Sequence, residues 1–339
     1  MDIDERLALV QRNTQEIVTL DELRKLLEEK EHPAVYLGTA ITGRPHVAYF
    51  LWVLKLADFL KAGLQVKLLL ADLHGALDNT PWELLEKRYE YYSTVITGMF
   101  KAVGADTKHF EFVKGSSFEK SGEYFFDVLR MATKASIRDA TKAGSEVVKQ
   151  SDNPKVAGLL YPIMQSLDEQ YLDVDIQYGG MDQRKIFMFA REFLPKIGYK
   201  SRVEIMTPII PGLIGEKMSA SDPNSKIDLL DDAATVKKKL KKAYCPEGIV
   251  EGNGVLAFLR HVFFVMKSDA GEEFVIERPE KFGGNVSFAS YDELERAFVD
   301  KKIHPMDVKN ALAKEITKLL DVVQAELKGK EALVAEAYP

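Results

Sequence analysis

The chain predicts a doubly wound parallel α/β fold over its first two-thirds and a largely helical domain after it. Near-continuous apolar strands alternate with helical patterns as far as about residue 230, and after Asp232 the strands thin out while helical patterns go on. A strand that is apolar along its whole length is covered on both faces, as in a parallel sheet flanked by helices. At 339 residues the chain also exceeds the size at which one core usually stops growing, so two domains are expected, 1–230 and 231–339.

Residues 4–30 carry Leu7, Val10, Ile17, Leu20, Leu23, Leu26 and Leu27 at helical spacing among charges and predict one or two helices as an N-terminal arm. The run Ala34-Val35-Tyr36-Leu37 predicts a buried strand ending at Gly38, followed by a Thr/Gly/Pro loop and an apolar helix from His46 to Ala62. A second strand, Val66 to Asp72, leads through a polar turn at 78–81 to a helix over 82–103. Strand 110–114 then precedes a long helical region from Ser117 to about Gln150. Leu172 to Tyr178 predicts the next strand, closed by Gly179-Gly180 before a helix near Asp182. Val203 to Met206 leads into a Pro/Gly-rich loop over 207–215, and helical patterns follow at 233–243, 253–267, 292–299 and 305–328.

Composition excludes several classes of function. With 46% hydrophobic and 29% charged residues the chain is neither disordered, collagenous nor membrane-embedded. Its start is charged and helix-patterned and it has no apolar run near 20 residues, which predicts a cytoplasmic protein. Cys245 is the single cysteine, so no intrachain disulfide or cysteine-rich zinc site is expected, and no structural metal. A net charge of −6 disfavours a general nucleic-acid coat protein, although a local basic face can still bind RNA.

Four strings carry chemistry. Gly215 to Ser221 sets Lys217 between small residues in a loop after a strand; an ammonium there can meet polyphosphate charge as it develops on a leaving group. Gly43 to Tyr49 puts His46 at the start of an apolar helix, where free N–H groups and the helix dipole favour phosphate. In Tyr161 to Asp168, Pro162 reads as the first helical turn, and Tyr161, Gln165 and Asp168 fall at i, i+4 and i+7 on one face. Polar groups on a face this apolar need partners, and a ligand is one. Gly179 to Lys185 stands at the carboxyl end of a strand, where open α/β folds bind ligands, its glycines expected to let a nucleotide approach and Asp182 to accept from ribose hydroxyls. Taken singly, each has a plainer reading: a solvated turn lysine, a packed histidine, an amphipathic helix, a connector. The lysine run 237–242 is either a phosphate-contacting patch or one solvated helix face.

Together these strings resemble the class I aminoacyl-tRNA synthetases, and among them the tyrosyl-tRNA synthetases of the archaeal and eukaryotic kind, from about Arg12 to Leu327. Lys217-Met218-Ser219-Ala220-Ser221 looks like the KMSKS loop, with Ala220 departing from it. Pro45 to Tyr49 stands where the HIGH motif is found; His46 fits it, while Ala48 and Tyr49 replace the glycine and the second histidine. The resemblance implies a Rossmann-like catalytic domain followed by a helical anticodon-binding domain, in a cytoplasmic homodimer. It implies a tyrosine pocket of Tyr36, Tyr161, Gln165, Asp168 and Gln183, with Gly38, His46, Asp182 and Lys217 around ATP, and His46, Lys217, Ser219 and Ser221 in catalysis. ATP with Mg²⁺ is the implied cosubstrate, with no prosthetic group, and tRNA(Tyr) the implied partner, touched by Phe282, His304, Asp307 and Arg184. The rivals are a tryptophanyl-tRNA synthetase, which needs only one acceptor for an indole N–H, and a non-catalytic RNA-binding paralogue, which would be expected to lose His46, Asp182 or Lys217.

Overall fold

A computed structural model describes residues 1–148, 153–213 and 226–339. The N-terminal arm is α1 (Ile3–Gln11), a short strand β1 (Glu16–Val18) and α2 (Leu20–Glu29). A capping box between Asp2 and Glu5 starts α1, and the Thr19 hydroxyl caps α2 by accepting from Glu22 N. Ile17, counted in the helical spacing, lies in a strand instead, because β1 completes the edge of the sheet.

Then follow β2 (Ala34–Ala40), α3 (Tyr49–Lys61), β3 (Gln65–Ala71), α4 (Asp72–Leu77), α5 (Leu85–Ala102), β4 (Phe110–Lys114), α6 (Gly122–Ala132), α7 (Ile137–Gly144), α8 (Ala157–Tyr171), β5 (Ile176–Gly180), α9 (Arg184–Phe193) and β6 (Val203–Thr207). The six strands pair in the order β1-β6-β5-β2-β3-β4, all parallel except β1, so the order reverses between β2 and β5. This is the doubly wound sheet that the apolar strands predicted.

Three local expectations change. The helical region after Ser117 is divided, because Ser136 and Asp139 form a capping box that begins a new helix, α7. Pro162 is internal to α8, not in its first turn, because the helix already begins at Ala157. Leu172 closes α8, and Asp173 turns the chain at φ 48°, so the strand begins only at Ile176.

The C-terminal part holds α10 (Ala233–Lys242), α11 (Gly254–Phe258), a π-helical stretch Leu259–Phe263, α12 (Phe264–Ala270), a hairpin of β7 (Phe274–Ile276) and β8 (Val286–Phe288), α13 (Tyr291–Val299), α14 (Pro305–Ala325) and α15 (Glu331–Ala337). The hairpin and α15 go beyond what the helical patterns predict. One buried apolar cluster runs from Leu7 and Val35 through Val95 to Leu312 and Ala337, joining both parts of the chain. Helices α5 and α14 touch so closely that a Cβ on Gly98 would lie 2.9 Å from Val323 Cα. A second cluster packs α6, α8 and α9, with Met131, Leu167 and Phe189 in contact, on another part of the fold.

At the chain's end, Tyr338 and Tyr92 both donate to Gly43 O, at 3.1 and 2.5 Å, and Arg88 bonds the carbonyls of Thr42 and Ala337. Helix α15 is thereby tied to the loop before His46.

Candidate active site

A cleft of about 730 Å³ opens beside the carboxyl ends of β2 and β5, lined by His46, Tyr161, Gly180, Asp182 and Gln183 among others. Two smaller pockets of about 240 and 160 Å³ share Gln183 with it and reach down to Tyr36. The smaller is walled by Tyr36, Tyr161, Gln165, Asp168 and Gln183, so all five residues predicted for the amino-acid pocket meet in one place.

Its inner end is dry, with Tyr36 and Asp168 each 1% exposed, while Tyr161, Gln165 and Gln183 are half-buried. The Tyr36 hydroxyl accepts from Gln177 Nε2 at 2.6 Å and donates to Gln165 O at 3.2 Å, which fixes its direction. Gln165 Nε2 donates to Gln183 Oε1 at 3.0 Å, joining α8 to the turn after β5. Asp168 Oδ1 accepts from the Tyr124 hydroxyl at 2.7 Å, and Oδ2 lies 3.8 Å from His74 Nε2. Burial, and then the Glu119 carboxylate, push Asp168 well above the usual carboxylate range, with His74 opposing them. For His74, burial disfavours the charge, but Asp168 and Glu119 outweigh it and hold the ring up at about 9. Gly179 is needed for packing: a Cβ there would fall 2.8 Å from Phe187 and 3.0 Å from Gln183. At Gly180 it would meet Asp182 Oδ1 at 2.6 Å. Gly179 thus makes room for protein side chains, while a Cβ at Gly180 would meet only the movable end of Asp182.

The sequence analysis missed His74, Glu119, Tyr124 and Gln177. His74 gives a faint signal, standing just past the end of an apolar strand, and Gln177 another, as an amide inside one. Among the described residues His74, Glu119 and Asp168 are the one group of metal-ligating side chains within reach of each other.

On the cleft side, His46 sits in a turn three residues ahead of α3. The expected free N–H groups are already used: Val47 bonds Ile227 O, and Tyr49, Phe50 and Leu51 bond the carbonyls three residues back. The ring remains. His46 is buried, and burial followed by the charge of Lys226 pushes it down to about 4, so it is neutral near pH 7. Its Nδ1 has no hydrogen-bond partner among the described residues. Gly38 and Asp182 line the pockets beside it. Lys217, Ser219 and Ser221 lie outside the described residues.

The predicted RNA contacts are dispersed. Phe282 is 60% exposed, with Lys281 Nζ 4.9 Å over its ring. His304 caps α14 by accepting from Met306 N at 3.1 Å, so capping does not fall to Asp307 in the first turn. Arg184 grips Glu16 at 2.6 and 2.8 Å and is engaged within the protein. In the lysine run, Lys239 bonds Asp231 and Lys226 O, while Lys237, Lys238, Lys241 and Lys242 are exposed.

A mostly parallel sheet that reverses its order beside a cleft is the architecture of the Rossmann-like class of folds. The family model for class I tRNA synthetases (W and Y) matches residues 28–321, and the chain belongs to that family. It is 49% identical to the cytoplasmic tyrosine–tRNA ligase of Gallus gallus, covering 99% of this chain but 63% of that relative, so it spans less than two-thirds of that protein. It is 48% identical to the tyrosine–tRNA ligase of Haloarcula marismortui, covering 100% of this chain and 98% of that one. Among solved structures, the tyrosyl-tRNA synthetase of Archaeoglobus fulgidus complexed with L-tyrosine is 39% identical, with TM-score 0.89 over 96% of this chain and 100% of that chain.

Proposed function

We propose that the chain is a tyrosine–tRNA ligase, which activates L-tyrosine with ATP to tyrosyl-adenylate and pyrophosphate and then esterifies tyrosine onto the terminal adenosine of tRNA(Tyr). The observation that carries this reading is the pocket with Tyr36 and Asp168 at its buried end. A phenol placed there has both a hydroxyl and a carboxylate to bond. An indole N–H would satisfy only one of them, which favours tyrosine over tryptophan. Tyr161, Gln165 and Gln183 face the cleft and offer acceptors to the substrate ammonium.

Activation needs the tyrosine carboxylate to attack the α-phosphorus in line while pyrophosphate leaves. His46, neutral near pH 7, acts as a hydrogen-bond donor and not as a cation. Lys217 supplies the positive charge, with Ser219 and Ser221 in the same loop, and Mg²⁺ arrives as part of the ATP substrate. Gly38 and Asp182 take the nucleotide. Residues 1–230 form the catalytic domain and 231–339 the anticodon-binding one. There Asp307 accepts from a base and Phe282 stacks on one. Two features support this: among the described residues the Asp307 carboxylate has no bonded partner, and Arg278 ties the Phe282 loop to the approach of α14 through Gly284 O and Lys302 O, at 2.9 and 3.4 Å. Exposed Phe125, Phe126, Leu129 and Ile137 on and beside α6 support a homodimer. A cytoplasmic setting fits a chain in which no described helix is long and apolar enough to cross a membrane.

Exchange of pyrophosphate into ATP, measured with each of the twenty amino acids, tests the reading. Tyrosine alone should drive it. Exchange driven by tryptophan, or tRNA binding with no exchange at all, would overturn it.

A further inference from the structure

From the inner wall of the pocket runs a polar row of which the substrate reaches only Asp168 in the reading above. Glu119 Oε1 stands 3.3 Å from His74 Nδ1, and His74 Nε2 stands 3.8 Å from Asp168 Oδ2. None of the three side chains is more than 2% exposed. They come from separate places: the start of the fold's second crossover at α4, the turn after β4, and α8. Tyr161 closes the row from the side, its ring edge-on to His74 with centroids 4.7 Å apart.

The geometry restricts the charge state. Each ring nitrogen of His74 faces a carboxylate, at 3.3 and 3.8 Å, and has no hydrogen-bonded partner among the described residues, so the row is an ion-pair arrangement in which an imidazolium attracts both carboxylates. Among the described residues neither Glu119 nor Asp168 has a lysine or arginine within ion-pair distance, so His74 is their shared cation. Two buried carboxylates without it could not both stay ionised. The other groups facing the ring do not replace it. Asp72, on the same helix, accepts from Ser116 N at 2.7 Å; Tyr124 and Tyr36 bring hydroxyls; Glu169 is a second buried carboxyl on α8 beside Asp168. Arg88, on neighbouring α5, turns to Thr42 and Thr80.

We propose that His74 is a positioning residue for substrate selection: set between Glu119 and Asp168, it opposes the burial and the like charge that favour a protonated Asp168, and so keeps Asp168 available as a charged acceptor of the substrate phenol. This rests on the tyrosine pocket proposed above. Without the bridge, Glu119 and Asp168 face each other across an uncharged gap, and one of them must take up a proton. A protonated Asp168 loses its charge as an acceptor, so tyrosine binding weakens. Glu119 is then harmful, since it is the charge that drives the protonation. Removing it as well should restore Asp168.

The test is a KM and kcat series for tyrosine in pyrophosphate exchange, run from pH 6.5 to 9 on the parent chain, His74→Gln, Glu119→Gln and the double variant. In His74→Gln, KM for tyrosine should rise about tenfold or more at pH 7, for one pK unit or more of lost ionisation, and recover toward pH 9, with kcat little changed. The double variant should regain most of that loss at pH 7, and Glu119→Gln alone should lose little. A KM unchanged in His74→Gln, or a loss equal at every pH and not relieved by Glu119→Gln, overturns the proposal and leaves His74 a packing residue. A parent chain that exchanges with no tyrosine dependence overturns the pocket reading and this inference with it.

Discussion

In the proposed reading selection of the amino acid turns on Asp168, a buried carboxylate with Oδ1 accepting from Tyr124 and Oδ2 3.8 Å from His74. Asp168→Asn keeps the size but removes the charge, and a hydrogen bond to a charged group is worth about 1.5–3 kcal/mol. Tyrosine activation should therefore fall by about ten- to a hundredfold in kcat/KM, and preference over phenylalanine should fall with it. Retained rate and preference in steady-state assays with both amino acids would remove Asp168 from the pocket. This side of the site was legible in the sequence because Tyr161, Gln165 and Asp168 share one helix and one face, and Tyr36 ends an apolar strand. His74 and Glu119 were not. They are 45 positions apart, in segments whose own patterning is ordinary, and only the parallel pairing of β3 with β4 brings them together.

Among the elements, α8 and β6 bury one glutamate each. Burial pushes Glu169 up to about 8 against the pull of Arg202, and pushes Glu204 up to about 8 against that of Arg191. Both lie above the ordinary value of 4.5, so folding binds protons between that pH and about 8, and stability drops as pH rises through the window. Glu204→Gln removes one such group while keeping an acceptor for Arg191. Its melting temperature, compared with the parent's, should improve from pH 5.5 to pH 8, by the equivalent of about 1–3 kcal/mol. The same difference at both pH values would show that Glu204 folds ionised. The main strands and long helices were legible because four apolar residues in a row in β2 and β3, apolar residues broken by a single polar one in β4 to β6, or a sustained 3.6-residue period leave few options. β1, β7 and β8 are three residues each, too short to show a period, and they are strands only because a partner lies alongside. Pro162 misled the placement of α8 because a helix-opening residue by preference is here held inside by packing on both sides.

For the whole molecule, the exposed aromatic face of α6 sets the expectation. Phe125 and Phe126 are each 62% exposed, and a soluble chain seldom leaves such a pair uncovered. Sedimentation of the parent chain should give a dimer and Phe126→Glu a monomer, with the melting temperature of the variant depending less on concentration. A monomeric parent at micromolar concentration would remove the dimer. The passage from sheet to mostly helical structure was legible as a change of pattern near residue 230, but the shared core was not. Apolar spacing shows which residues are buried and says nothing of what buries them, and here α14 buries itself on α5.

The bonds of Tyr338, Tyr92 and Arg88 on the Thr42–Gly43 loop join that packing to the nucleotide cleft. Helix α5 carries Tyr92 and Arg88 near one end and Gly98, seated against α14, near the other. The helix that presents Asp307 and the loop that presents His46 thus lean on a single strut. Any shift that one ligand imposes on the strut is a cost or a gain for the other, and such coupling is reciprocal: with the proposed ligands, the factor by which tRNA would alter the affinity for ATP is the factor by which ATP would alter the affinity for tRNA.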